Sequence, residues 1–128
     1  MADYCDIVAK RKWAVVGASN DCLKYGHIIW RFLKNHGYTV YPINPGEQKI
    51  EHDICYPTVA DIPEKPDVVN VIVPPKVAVK IIEQCAAANI QHVWLQPGAE
   101  SVEAEVTAKR LGINLISHAC VMVEMRKG

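Results

Sequence analysis

Trp13–Gly26, WAVVGASNDCLKYG, decides how the rest of the chain is read. Trp13 to Gly17 is apolar or small and ends in glycine, which fits a buried strand. Ala18 to Tyr25 is short, polar or flexible. The HIIWRFLKNHG that follows Gly26 has helical spacing, with Ile28, Ile29, Phe32 and Leu33 expected on one buried face. Strand, glycine turn and helix in that order aim backbone N–H groups and a helix N-terminus at a phosphate.

Upstream, Asp3 to Lys12 is a weak helix candidate with Cys5, Val8 and Ala9 on one side. Its Lys10-Arg11-Lys12 run either touches a phosphate or is a solvated approach to the strand. Downstream, Gly37 sits where a left-handed helix cap is expected. Tyr38 to Ile43 reads as a second strand, and Pro42 places that end near the sheet's margin because it lacks an N–H. Asn44-Pro45-Gly46 is a turn, Ile54-Cys55-Tyr56 a short strand, and Thr58 caps a single turn through Asp61 that Pro63 ends. Asp67 to Val73 is nearly continuous apolar sequence, as in a strand covered on both faces, and Pro74-Pro75 stops it. Lys76 to Asn89 then reads as a helix with Val77, Ile81, Cys85 and Ala88 inward. His92 to Gln96 is a fourth strand, Pro97-Gly98 a turn, Ser101 to Leu111 a helix closed by Gly112, and Asn114 to Ser117 the last main strand.

Strands alternate with helices and no hairpin signal appears, so the expected architecture is α/β: a doubly wound parallel sheet of about five strands in three α/β/α layers. The 128 residues suffice for one domain, expected to be 1–128. In such sheets the ligand crevice lies outside the carboxyl ends of the strands. Those ends are Gly17-Ala18-Ser19, Asn44-Pro45, Val73-Pro74-Pro75, Gln96-Pro97-Gly98 and Ser117-His118-Ala119-Cys120, all expected on one rim.

Half of the residues are hydrophobic, and 14 Lys and Arg balance 14 Asp and Glu. That balance supplies no field for nucleic acid or a membrane surface, and no apolar run approaches the roughly 20 residues of a membrane span. MADYCDIVAKRK has no signal-peptide core, and the five cysteines are widely spaced and odd in number. The expectation is a cytoplasmic protein with reduced thiols, each a small buried hydrophobe, without disulfides or a metal site.

The ligand class follows from what the turn lacks. G-x-G-x-x-G is absent, since no glycine follows Gly17 until Gly26. The end of the second strand carries Asn44 rather than the acid that binds the ribose hydroxyls of a dinucleotide. No G-K-[ST] follows a glycine-rich run, so this is not a P-loop. Lys24 is either a cation for a phosphate or a surface lysine, and the pattern does not choose between them.

The segments V16-GAS-19, K24-x-G26, Y38-x-V-Y-P-I-N-P45, D67-V-V-N-V-I-V-P-P75, W94-L-Q-P-G98 and C120-x-x-x-E124, in this order, resemble the small stand-alone coenzyme A-binding proteins. Their domain is similar to the nucleotide-binding domain of the succinyl-CoA synthetase α subunit. The resemblance spans about residues 10–125 and implies a five-stranded Rossmann-like sheet that binds coenzyme A or an acyl-CoA. It puts Gly17, Ala18, Ser19 and Asn20 around the pyrophosphate and Lys24 on a phosphate. Asn44 goes near the adenosine end. Val73, Pro74 and Pro75 form an apolar wall, and Gln96 and Gly98 face the pantetheine arm. One departure is His52 or Asp53, where relatives tend to carry glycine. On the same reasoning, Gly17→Asp is expected to abolish binding while leaving the fold.

The five histidines all lie inside this domain, so none matches the phosphorylatable histidine of a succinyl-CoA synthetase second domain. Only His118 falls on the rim, as a wall residue or a catalyst, and Cys120 beside it could meet the ligand's thiol. No Ser/His/Asp set or paired carboxylate site assembles. The reading is a binding protein for a small molecule without turnover of its own, its protein partners unspecified. The alternatives are an NAD(P)-linked oxidoreductase or redox sensor, and a subunit of an acyl-CoA ligase that acts with a partner.

Overall fold

A computed structural model describes residues 4–127. After α1 (Cys5–Val8) come β1 (Lys12–Val16), α2 (Tyr25–Asn35), β2 (Thr39–Ile43), the short strands β3 (Lys49–Ile50) and β4 (Asp53–Ile54), and a 3₁₀ turn (Val59–Asp61). The second half is β5 (Val68–Val71), α3 (Pro75–Ala87), β6 (His92–Leu95), α4 (Val102–Leu111), β7 (Asn114–Ile116) and α5 (Val121–Lys127). The main sheet has five strands in the order β2-β1-β5-β6-β7, every pair parallel. This is the expected Rossmann-like architecture, with its order reversal between β1 and β5. At that point Val16 registers with Ile43 on one side and Val71 on the other.

Strand residues alternate between two cores because successive side chains point to opposite faces. Ala14, Val16, Val69, Val71, Val93 and Leu95 pack with Ile81, Ile82, Cys85, Ala104 and Ala108 of α3 and α4. Trp13, Val15, Val68 and Trp94 pack with Ile29, Trp30, Leu33, Val121 and Met122 of α2 and α5. Trp13, Trp30 and Trp94 are all fully buried on this second side, with the Trp13 and Trp94 rings 6.2 Å apart. Covered on both faces, β5 is buried at every residue, as its apolar run requires.

Pro42 sits on the edge strand as expected. Ile43 turns its carbonyl inward to accept from Gly17 N, whereas the Pro42 carbonyl faces out and accepts from Tyr56 N at 3.0 Å. Thr58 caps the 3₁₀ turn, its N–H and hydroxyl both donating to Asp61 Oδ2. Ser101 Oγ accepts from Ala104 N at the start of α4, and Gly112 ends that helix with φ +73°.

Four expectations need correction. The Asp3–Lys12 helix shrinks to α1, because β1 already claims Lys12, and Asp3 lies outside the described residues. The buried face of α2 is Gly26, His27, Ile29, Trp30 and Leu33, with Ile28 exposed. The face is rotated because Trp30 enters the core while His27 is buried against it and bonded to Glu51 Oε2 at 3.0 Å. On α3, Ala78 and Ile82 are buried and Val77 is exposed, for the same reason of helix rotation on the sheet. A hairpin does exist: β3 and β4 pair antiparallel around Glu51-His52. No glycine or asparagine announces that turn. Glu51 takes φ +54° there and is held by its tertiary contacts, its carboxylate accepting from His27 and Arg31 and its N–H donating to Asn20 Oδ1.

Candidate functional site

The carboxyl rim is built on two glycines. Gly17 has φ +98°, and a Cβ there would lie 2.2 Å from the Ile72 carbonyl oxygen. A Cβ on Gly26 would lie 2.0 Å from the Gly17 oxygen, so α2 enters directly over the turn that closes β1. Only residues without a side chain let strand, turn and helix approach this closely. Gly17→Asp therefore cannot leave the fold intact, contrary to expectation: it puts a side chain into the β5 backbone at a left-handed position. Gly26 is an essential part of the rim that the sequence did not single out as a site residue, although it stood in the opening stretch as the next glycine after Gly17.

Between these glycines the loop is ordered from within. Ser19 Oγ accepts from Asp21 N at 3.0 Å, and Asp21 Oδ1 accepts from Leu23 N at 3.0 Å. Asn44 braces it from the end of β2, Nδ2 donating to the Ala18 carbonyl and Oδ1 accepting from Gly46 N, both at 2.8 Å. Asn20 turns to the hairpin, donating to the Lys49 carbonyl at 2.7 Å. Among the described residues, the N–H groups of Ala18, Ser19, Tyr25 and Gly26 have no acceptor. Lys24 stands exposed at the N-cap of α2 with no side-chain cap bond, and it has no ion pair among the described residues. The turn therefore presents several backbone donors, a positive helix end and one unpaired ammonium, which together suit an anion.

Beside the turn, the rim opens into a groove of about 440 Å³ lined by Ile72, Val73, Pro74, Pro75, Gln96, Pro97, Gly98 and Ala99. A second cleft of about 150 Å³ shares Ile72, Gln96 and Pro97 and is closed by Tyr25 and Cys120. Pro74 and Pro75 open α3 at its N-cap and first position, where a missing N–H costs nothing. The apolar wall expected of Val73, Pro74 and Pro75 thus borders the glycine turn, and Val73 Cγ1 would lie 3.2 Å from a Cβ on Gly17.

Gln96 lines both hollows by position, while its amide belongs to the fold. Oε1 accepts from Asn70 Nδ2 at 3.2 Å and from Val121 N at 2.9 Å, and Nε2 donates to Cys120 Sγ at 3.4 Å. Asn70 is fully buried, and its Oδ1 has no partner among the described residues. Glu100 forms part of the β6–α4 turn. Its carboxyl is held below the usual range by its own backbone N–H and by that of Gly98, which donates at 2.7 Å. His118 is exposed with φ +62°, its ring 3.8 Å from Glu105.

The thiols divide. Cys55 and Cys85 are buried as expected, and burial pushes Cys85 up to about 12. Cys22 is exposed in the loop and Cys120 is partly exposed in the cleft, so these two are not core residues. Cys22 lies on the exposed part of the loop that leads to Gly26, and Cys120 sits between β7 and α5 on the wall of the cleft. The Cys5 side chain lies outside the described residues. No three His, Cys, Asp or Glu side chains come together as a metal site among the described residues, and no helix is long and apolar enough to cross a membrane.

A glycine turn and helix start where the strand order reverses is the place at which α/β domains of this class bind nucleotides. Residues 11–126 match the CoA binding domain family, and the chain belongs to it. It is 32% identical over 118 residues to acetate–CoA ligase [ADP-forming] I of Archaeoglobus fulgidus, covering 84% of this chain and 17% of that protein. The chain thus spans about a sixth of the length of that relative. Two solved structures are similar over nearly their whole length. A hypothetical protein from Pyrococcus horikoshii OT3 has TM-score 0.91 and 34% identity over 95% of this chain and 87% of the other. A conserved hypothetical protein from Pyrococcus furiosus has TM-score 0.86 and 39% identity over 89% and 98%.

Proposed function

We propose that the carboxyl rim binds coenzyme A or an acyl-CoA, as a single domain without turnover of its own. The observation that carries this reading is the set of N–H groups at Ala18, Ser19, Tyr25 and Gly26 without an acceptor among the described residues, in the turn where the strand order reverses. These donors, with Lys24, would receive the pyrophosphate. Ser19 lies in the same turn, and Asn44 holds that turn from the side of the adenosine. The groove along Val73, Pro74, Pro75 and Gly98 would take the pantetheine arm. Coenzyme A would supply a thiol, or an acyl-CoA its thioester, and the chain's residues would bind and orient it.

Calorimetric titration with coenzyme A and with NADH tests this reading, combined with maleimide labelling in the presence of acetyl-CoA, which has no free thiol to consume the reagent, each cysteine being read by peptide mass. Coenzyme A is expected to bind, and acetyl-CoA to slow labelling of Cys22, which lies in the turn, more than that of Cys85. Binding of NADH alone, or binding of acetyl-CoA that leaves Cys22 equally reactive, would sink it. A second reading has its own support. The Archaeoglobus relative is a ligase, and this chain spans only 17% of it, so a partner could supply the missing parts. Pull-down followed by an assay for ADP- or GDP-forming thioester synthesis distinguishes the two.

A further inference from the structure

Two acids stand at the glycine turn: Asp21, whose carboxylate accepts from Leu23 N within it, and Glu47, which reaches it from the segment after β2. Glu47 Oε2 accepts from the backbone N–H of Asn20 and from its side-chain Nδ2, both at 3.2 Å. Among the described residues Glu47 pairs with no cation, although Glu51, Asp53 and Glu64 all do. It is half-buried, and its own N–H donates to the Asn44 carbonyl, which anchors its backbone beside the turn. Its charge also helps raise the Cys55 thiol, after burial, which is the main cause. The carboxylate therefore touches the turn through two hydrogen bonds that stay open to solvent.

We propose that Glu47 is an internal competitor for the incoming diphosphate. It occupies one N–H of the turn whose neighbouring donors are open, and it sets the affinity of the site by like-charge opposition. This inference rests on the reading of the rim as a coenzyme A site. When a diphosphate reaches the turn, the carboxylate either stays and repels it or turns out and gives up two long hydrogen bonds. Both routes weaken binding relative to a neutral side chain. Asn20 does not depend on Glu47 for its position, because its side chain also donates to the Lys49 carbonyl at 2.7 Å and accepts from Glu51 N at 3.0 Å.

The test is titration of wild type, Glu47→Gln and Glu47→Ala with coenzyme A and with inorganic pyrophosphate, following the Asn20 amide resonance. Glu47→Gln is expected to tighten both ligands about fivefold, the effect of one like charge some 4 Å away in a water-like dielectric. The gain should shrink as salt is raised. Glu47→Ala should tighten them as well. Unchanged or weaker binding in both variants, with thermal midpoints retained, would overturn the inference and make Glu47 a brace of the turn or a ligand contact. Binding of pyrophosphate without coenzyme A would sink the coenzyme A reading, and the inference would then be judged on pyrophosphate. If neither probe binds to any variant, both fall.

Discussion

The two ends of the one sheet make opposite use of polar groups. The amino rim also has a hollow, about 180 Å³, lined by Lys10, Lys65, Pro66, Asp67, Asn89, Gln91 and His92. It holds more charge than the carboxyl rim, yet most of that charge is engaged. Lys12 pairs with Glu64 at 2.7 Å, and its N–H donates to Asp67 Oδ2 at 3.2 Å. Lys65 Nζ donates to the Asn89 carbonyl at 2.8 Å, and burial, with Lys10 adding to it, holds the His92 imidazole below its usual pKa. At the carboxyl rim the side chains are mostly neutral and the backbone donors are open. Open donors in the turn after β1 and at the start of α2, rather than a count of lysines, single out the proposed binding end. The Lys10-Arg11-Lys12 run is accordingly a paired approach to β1: Arg11 donates to the Gly37 carbonyl at 2.9 Å and lies over the Tyr38 ring.

The largest effect that would separate the rims comes from glycine substitution. Gly26→Ala is expected to destabilise the chain by roughly 3 kcal/mol, the upper end of overpacking costs, because its Cβ meets the Gly17 carbonyl. Gly112→Ala at the amino rim finds open space and should cost only about 1 kcal/mol for its left-handed backbone. Urea unfolding of both variants reads the difference, and equal losses would break the contrast.

Next in size is ligand affinity. Lys24→Ala should weaken coenzyme A binding by about 1 kcal/mol, the contribution of one charge-assisted contact. Lys65→Ala, at the other end of the sheet, should leave it unchanged by calorimetry. A loss in Lys65→Ala alone would reverse the assignment of the two rims.

The smallest effect concerns pH. The Lys12 ammonium, with help from the Tyr41 hydroxyl, holds Glu64 below its ordinary value of 4.5. A depressed acid contributes stability that is present above the ordinary pKa and lost as pH falls below it. Glu64→Gln should therefore flatten a small part of the drop in thermal midpoint below pH 4.5. The pair is exposed, so the change is slight.

Much of the fold was legible because its signals are local. Val68–Val71 announces a strand buried on both faces, Ser101 and Gly112 mark the ends of α4, and Pro42 its edge strand. Other features were hidden because they depend on distant partners. His27 and Trp30 join the buried face of α2 only because Glu51 and the Trp13–Trp94 side of the core receive them. The β3–β4 turn carries no turn residue because contacts from α2 and Asn20 hold it. The helix α5 has no local start signal, since Val121 and Met122 gain their burial from distant α1, α2 and sheet residues. For the site, Gly17, Ala18, Ser19, Asn44 and the Val73-Pro74-Pro75 wall could be placed on one rim by topology. Tyr25, Gly26 and Glu47 could not, because a residue's relation to an open N–H is not written in its spacing.

From its sequence alone this protein is a parallel α/β domain with a glycine turn facing the carboxyl rim, because apolar periodicity and backbone freedom are properties of neighbouring residues. Only the tertiary structure decided which donors of that turn stay open, which amides brace it and which carboxylate bonds to it. Those outcomes depend on atoms brought within about 3 Å from segments far apart in the chain, and no local pattern encodes such a distance.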